Sequence, residues 1–213
     1  MVKKGDFLKI EYTGYDQNGN VFDSTSGEIG KEMHGKEGPL LVVMDFDYLV
    51  EGMRQALLQM NKGDEQEISI PPELAFGERQ RVRLKVLPLS DFHDNETEPY
   101  PGAVIRMDTP GGGISGLVKS VNSGRVLVDF NHPLSGQTVR YKLKLVDVIL
   151  DPAQKVSELL FDTDSKGTAV LEGETATITL KKGQEDEKLK KTQLQIAITK
   201  AIPEVKEVLF KEE

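Results

Sequence analysis

The chain of 213 residues has no cysteine and only three histidines. Without thiols there is no disulfide framework, no zinc–thiolate site and no cysteine nucleophile, and three scattered histidines argue against a His-based metal site. No window approaches the roughly 18 consecutive apolar residues of a membrane-spanning helix, and the opening Met1-Val2-Lys3-Lys4-Gly5-Asp6 lacks the apolar core of a signal peptide. A cytoplasmic protein without a membrane partner is therefore expected. Basic residues are also in deficit, 27 against 35 acidic, for a formal net charge of −8. That balance favours solubility and argues against a nucleic-acid backbone as the main partner. The hydrophobic fraction of 38% is ordinary for a globular chain, and the length suits two or three compact units.

What is present begins with a half-buried strand. Leu8, Ile10 and Tyr12 alternate with Lys9, Glu11 and Thr13, so one face is apolar and the other wet. The Asp16-Gln17-Asn18-Gly19-Asn20 turn follows, then Val21-Phe22-Asp23 resumes an extended pattern. Leu49, Val50, Met53, Ala56, Leu57 and Met60 recur at intervals of three and four, which predicts a helix over 48–60 with Asp47 as its N-cap and Asn61-Lys62-Gly63 as its C-terminal turn. Glu65 to Ile70 reads as a strand stopped by Pro71-Pro72. The stretch from Gly77 to Tyr141 holds its own strand-like runs at 103–107, 114–121 and 125–130, with a hairpin turn at Asn122-Ser123-Gly124, and so reads as a small domain. Val139, Tyr141, Leu143 and Leu145 then alternate as a strand whose apolar face matches the opening sheet. After Asp151-Pro152 a small α+β unit is expected: a short helix around Val156, Leu159 and Leu160, strands at 168–171 and 175–180, a helix over 189–201 and a last strand over 205–210.

These pieces resemble the FK506-binding-protein (FKBP) family of peptidyl-prolyl isomerases. The resemblance rests on Tyr12-Thr13-Gly14 followed by Val21-Phe22-Asp23, then Leu49-Val50-Glu51-Gly52-Met53, then Leu74-Ala75-Phe76-Gly77, and Tyr141 in the last strand. The segment before that strand, closing with Asn131-His132-Pro133-Leu134-Ser135-Gly136, is similar to the SlyD-like subgroup with an insert-in-flap chaperone domain. The tail from 152 is similar in layout to long archaeal members. The fold so implied is α+β: an antiparallel sheet wrapped around one helix, an inserted β-rich domain and a C-terminal α+β domain. The implied boundaries are 1–84 with 131–151 for the isomerase domain, 85–130 for the insert and 152–213 for the C-terminal domain.

By the same resemblance Tyr12, Phe22, Asp23, Phe76 and Tyr141 are the catalytic set, and Leu40, Leu49, Val50 and Met53 complete the substrate pocket. Exposed apolar residues among Ile105, Met107, Ile114, Leu117 and Val118 are the expected capture face of the insert. No cofactor and no metal are implied. The implied partners are unfolded or partly folded proteins and proline-containing peptides, FK506-like macrolides, and a second copy of the chain through the C-terminal domain. An apolar pocket suits the reaction. Amide resonance sets a barrier of about 18–20 kcal/mol, and desolvating the planar amide disfavours it relative to the twisted one. Two positions depart from the family pattern. Met53 stands where members usually carry tryptophan, and Phe76 stands where many carry tyrosine, keeping the shape but losing a donor. These departures favour an alternative reading, a non-catalytic holdase or dimeric scaffold with a weakened pocket.

Other motifs carry less. Gly111-Gly112-Gly113-Ile114-Ser115-Gly116 matches a dinucleotide fingerprint in letters only, because a strand pattern follows where a helix is needed. Asp162-Thr163-Asp164-Ser165-Lys166-Gly167 begins like a calcium loop but has Lys166 at a ligand position. The basic run Arg79, Arg81, Arg83 and Lys85 reads as a solvated edge, and His132 as a structural hydrogen-bonding residue. Asn95-Glu96-Thr97 is a sequon without an expected secretory route.

Overall fold

In the computed structural model, residues 2–44, 49–93, 98–109, 112–163, 167–181 and 187–212 are described. The chain divides into two units, one formed by Met1–Ile70 with Val139–Glu213, the other by Pro71–Thr138. In chain order the first unit opens with β1 (Phe7–Tyr15), β2 (Val21–Ser24), α1 (Gly27–His34), β3 (Leu40–Val43), α2 (Glu51–Leu57) and β4 (Glu65–Ile70). The second holds β5 (Leu84–Pro88), α3 (Ser90–His93), β6 (Val104–Thr109), β7 (Gly112–Asn122) and β8 (Arg125–Asp129). The first unit resumes with β9 (Val139–Ile149), α4 (Pro152–Asp162), β10 (Gly167–Glu172), β11 (Thr175–Leu180), α5 (Glu187–Ala201) and β12 (Glu207–Glu212).

The main sheet is antiparallel and runs β2-β1-β9-β4, with β3 also paired to β1. The match between the apolar faces of 8–12 and 139–145 is realised as the direct pairing of β1 with β9. Simple alternation fails at one residue. Phe7 is as fully buried as Leu8 and Ile10, because it faces a second core on the opposite side of the sheet. Helix α2 lies on the first face with Met53 and Leu57 buried. Gly52 makes this approach possible, since a β-carbon there would stand 2.4 Å from a methyl carbon of Ile70. The helix is shorter than the spacing predicts: Val50 occupies the N-cap position, and the expected cap, Asp47, lies outside the described residues. Gly63, at φ +91, closes the expected turn and donates its N–H to the Leu145 carbonyl at 2.7 Å.

The second core joins Phe7, Val43 and Ile149 of this sheet to Val156, Leu159 and Leu160 of α4, Ala176, Ile178 and Leu180 of β11, and Leu194 and Ile198 of α5. The expected boundary at 151/152 is thus crossed by one continuous apolar core. Asp151 caps α4 by accepting from the Gln154 N–H, with Pro152 in the first turn, where its missing donor costs nothing. β11 and β12 are parallel, and α5 supplies the crossover such a pair needs.

The other unit is a four-stranded antiparallel sheet in the order β5-β8-β7-β6. Ser123 at φ 47 and Gly124 at φ 74 form its tight β7–β8 turn, as the Asn-Ser-Gly signal predicts. Phe92, Ala103, Ile105, Val118, Val126 and Val128 make a core of its own. Residues 112–116 are strand, so the glycine-rich run heads no helix. Asp162 ends α4 and pairs with Lys36 at 3.0 Å, while residues 164–166 and the sequon 95–97 lie outside the described residues. Among the described residues no helix is long and apolar enough to cross a membrane.

Candidate active site

One face of the main sheet carries an aromatic and acidic cluster built from β1, β2 and β9. Tyr12 and Gly14, two apart on β1, face the same side, and Gly14 is in register with both Tyr141 on β9 and Asp23 on β2. The ladder slips between Gly14 and Tyr15: Asp23 opposes Gly14, Val21 opposes Tyr15, and Phe22 is left as the extra residue between them. A bulge of this kind re-aims side chains, and it lets the adjacent Phe22 and Asp23 serve the same face. The Phe22 and Tyr141 rings meet edge-on with centroids 5.6 Å apart, and Tyr12 meets Tyr141 at 5.8 Å. Both rings cross over Gly14, where a β-carbon would stand 2.7 Å from Phe22 Cζ and 2.8 Å from Tyr141 Cε1. The glycine of the Tyr-Thr-Gly motif is a steric requirement for the cluster.

The polar part is centred on Asp23. Its Oδ2 accepts the Tyr12 hydroxyl proton at 2.8 Å, and its Oδ1 lies 2.8 Å from His34 Nε2. Burial first, then the Asp23 hydrogen bond and charge, push the Tyr12 phenol far above its usual range, and burial and Asp23 push Tyr141 up in the same direction. Both phenols therefore stay protonated at any physiological pH. Asp23 orients the Tyr12 hydroxyl, one of the roles open to it from sequence. Among the described residues the Tyr141 hydroxyl has no hydrogen-bond partner.

Met53 is buried on α2, and Leu49, Val50 and Leu40 are half-buried beside that helix and on β3. Phe76 belongs to the other unit. There its ring stacks parallel on His132 at 4.4 Å, and its carbonyl accepts the Ser135 hydroxyl at 3.0 Å. His132 accepts the Leu134 N–H on Nδ1 at 3.2 Å, which is the structural role its sequence context suggests, and burial pulls its pKa down. Of the basic run, Arg79 pairs with the buried Asp129 carboxylate and Arg81 and Arg83 sit in a 3-10 turn ahead of the edge strand β5.

The expected capture face divides. Ile105 and Val118 are buried in the insert core, so they cannot present a surface: their strands turn these side chains inward against Val126 and Val128. Met107 is partly buried, whereas Ile114 and Leu117 are exposed, and Val104, absent from the sequence-based set, is 72% exposed. His34 is the site residue that sequence reasoning missed. Its helix carries no apolar stripe strong enough to announce itself, and eleven positions separate it from Asp23.

The chain matches the model of the FKBP-type peptidyl-prolyl cis-trans isomerase family over residues 1–97 and that of the FKBP26 IF domain over residues 85–134. It is 30% identical over 153 residues to a short-type peptidyl-prolyl cis-trans isomerase of Methanocaldococcus jannaschii, covering 70% of this chain and 94% of that protein. An FKBP-type 16 kDa peptidyl-prolyl cis-trans isomerase of Escherichia coli is 33% identical over 132 residues, covering 62% and 85%. The FKBP-type isomerase SlyD of Treponema pallidum is 29% identical over 163 residues, covering 75% and 85%.

Proposed function

The chain belongs to the FKBP-type peptidyl-prolyl cis-trans isomerase family, and we propose that the Tyr12–Phe22–Asp23–Tyr141 cluster is where it turns the X–Pro bond. The observation that carries this reading is the 2.8 Å bond from the Tyr12 hydroxyl to Asp23 beneath two edge-on aromatic rings. No covalent bond need break in the reaction. A proline amide leaving water for an aromatic cage loses solvation that favours its planar, more charge-separated form, so the twisted state gains relative to it. Asp23 fixes Tyr12, and the Tyr141 hydroxyl, without a hydrogen-bond partner among the described residues, is the donor left to meet the substrate carbonyl.

Met53 gives the pocket an adaptable, polarizable floor, with Leu40, Leu49 and Val50 as its apolar rim. The insert captures unfolded chains on apolar strand surface that includes Leu117, with Val104 directly opposite it in the β6–β7 register, and on the other face Ile114, opposite Met107. Tethering capture and catalysis in one chain raises the local proline supply. The cytoplasm as site of action, FK506-like macrolides as cage ligands and a dimer through the C-terminal region belong to the same proposal. For the dimer, Val170 and Leu209, 55% and 44% exposed, flank Thr177 across the outer face of the β10-β11-β12 sheet. Sedimentation at monomer mass across the micromolar range would reject that part.

The test compares isomerisation of a short X–Pro peptide with a proline-limited refolding reaction, using the intact chain and one with residues 85–130 replaced by a short linker. Acceleration of both substrates, with only refolding lost on deletion, is the expected result. No acceleration of either would favour the holdase reading.

A further inference from the structure

His34 ends α1, and α1 is firmly seated. Gly30 presses on the preceding backbone so closely that a β-carbon would stand 2.7 Å from the carbonyl atoms of Thr25. Thr25 is itself tied to β1: its N–H donates to the Tyr12 carbonyl, and its Oγ1 accepts the Tyr12 N–H, both at 3.0 Å. After the helix, Gly35 at φ +70 returns its N–H to the Lys31 carbonyl, and Gly38 donates to the Thr25 carbonyl at 2.9 Å. His34 is therefore delivered to one place, with its ring edge-on to Tyr12 at 6.0 Å and Nε2 at 2.8 Å from Asp23 Oδ1.

The proton inventory of this trio has one solution. An ionised carboxylate only accepts, so His34 Nε2 carries the hydrogen shared with Oδ1. Tyr12, whose oxygen is 3.4 Å from that nitrogen, finds no lone pair there and gives its proton to Oδ2. Asp23 is held from both sides, and the side chains of His34 and Asp23 are only 18% and 20% exposed, so the contact is poorly screened.

Resting on the cage reading above, we propose that His34 is a positioning residue of the isomerase: it clamps the Asp23 carboxylate for Tyr12 and for the proline amide. It supplies one hydrogen bond to Asp23 Oδ1 and leaves Oδ2 to Tyr12. The groups facing His34 are Tyr12 from β1 and Asp23 from β2, with Tyr141 of β9 against Tyr12; on its own helix Lys31 is engaged by Glu37 at 3.4 Å. Both phenols remain neutral.

The test measures kcat and KM separately on an X–Pro peptide for the full chain and for His34→Leu, His34→Gln, Asp23→Asn and Asp23→Asn/His34→Leu. His34→Leu is expected to lower kcat/KM about three- to tenfold, the loss of one hydrogen bond. His34→Gln, which keeps a donor, should restore most of it. In the Asp23→Asn background the His34 change should cost nothing further. A folded His34→Leu protein with the parent rate, or a His34→Gln protein no faster than His34→Leu, overturns the proposal while an impaired Asp23→Asn leaves the cage reading standing. An unimpaired Asp23→Asn overturns both.

Discussion

Gly14 lies opposite Tyr141 in the β1–β9 ladder, and the Tyr141 ring occupies the space that a side chain at Gly14 would need. The rings of Phe22 and Tyr141 come together because nothing projects between them. Gly14→Ala should displace both rings, cost about 1–3 kcal/mol of stability from overpacking, and depress isomerase activity. Denaturant unfolding and peptide kinetics on one preparation check this; an alanine variant with parent stability and rate would refute it.

Tyr141 brings a hydroxyl donor to the aromatic cluster of β1, β2 and β9. Tyr141→Phe keeps the ring and should lower kcat/KM about three- to tenfold, from a net hydrogen-bond contribution of about 0.5–1.5 kcal/mol. Stability should hardly change, since the hydroxyl has no partner among the described residues.

The insert-bearing unit should lose stability in acid through His132. Burial lowers its pKa in the folded protein, and its Nδ1 is occupied as an acceptor from Leu134. The unfolded chain then takes up a proton near pH 6.5, before the folded one does, so this contribution is fully present above that pH and declines as pH falls below it. His132→Asn should flatten the dependence of unfolding free energy on pH between about 7 and 5.

Removing residues 152–213 should damage the isomerase sheet. Phe7 and Ile149, 0% and 1% exposed, bury their side chains against the C-terminal elements, and each fully buried large apolar side chain is worth about 1.5–3 kcal/mol. Chain 1–151 should unfold at lower temperature and self-associate in calorimetry and light scattering. Independent, parent-like unfolding of 1–151 would instead mark the C-terminal region as a separate folding unit.

Local physics made much of this legible from the residues alone. Alternation at Leu8, Ile10 and Tyr12, three-to-four spacing around Met53 and the Asn-Ser-Gly turn each depend on neighbours in the chain, and each appears as strand, helix and hairpin. The family motifs imply one site for Tyr12, Phe22, Asp23 and Tyr141, and their side chains meet on one face of the sheet.

Tertiary structure decided the rest, because it depends on what meets each residue from far along the chain. Phe7 broke the two-residue period because α4, β11 and α5 cover the far face of its strand. Ile105 and Val118 left the expected capture surface because their sheet had its own core to close. His34, unmarked by any pattern, reached Asp23 because a side-chain-free Gly30 let a short helix settle on Thr25. Composition and periodicity report what a segment prefers; the partner that satisfies a carboxylate is chosen by packing.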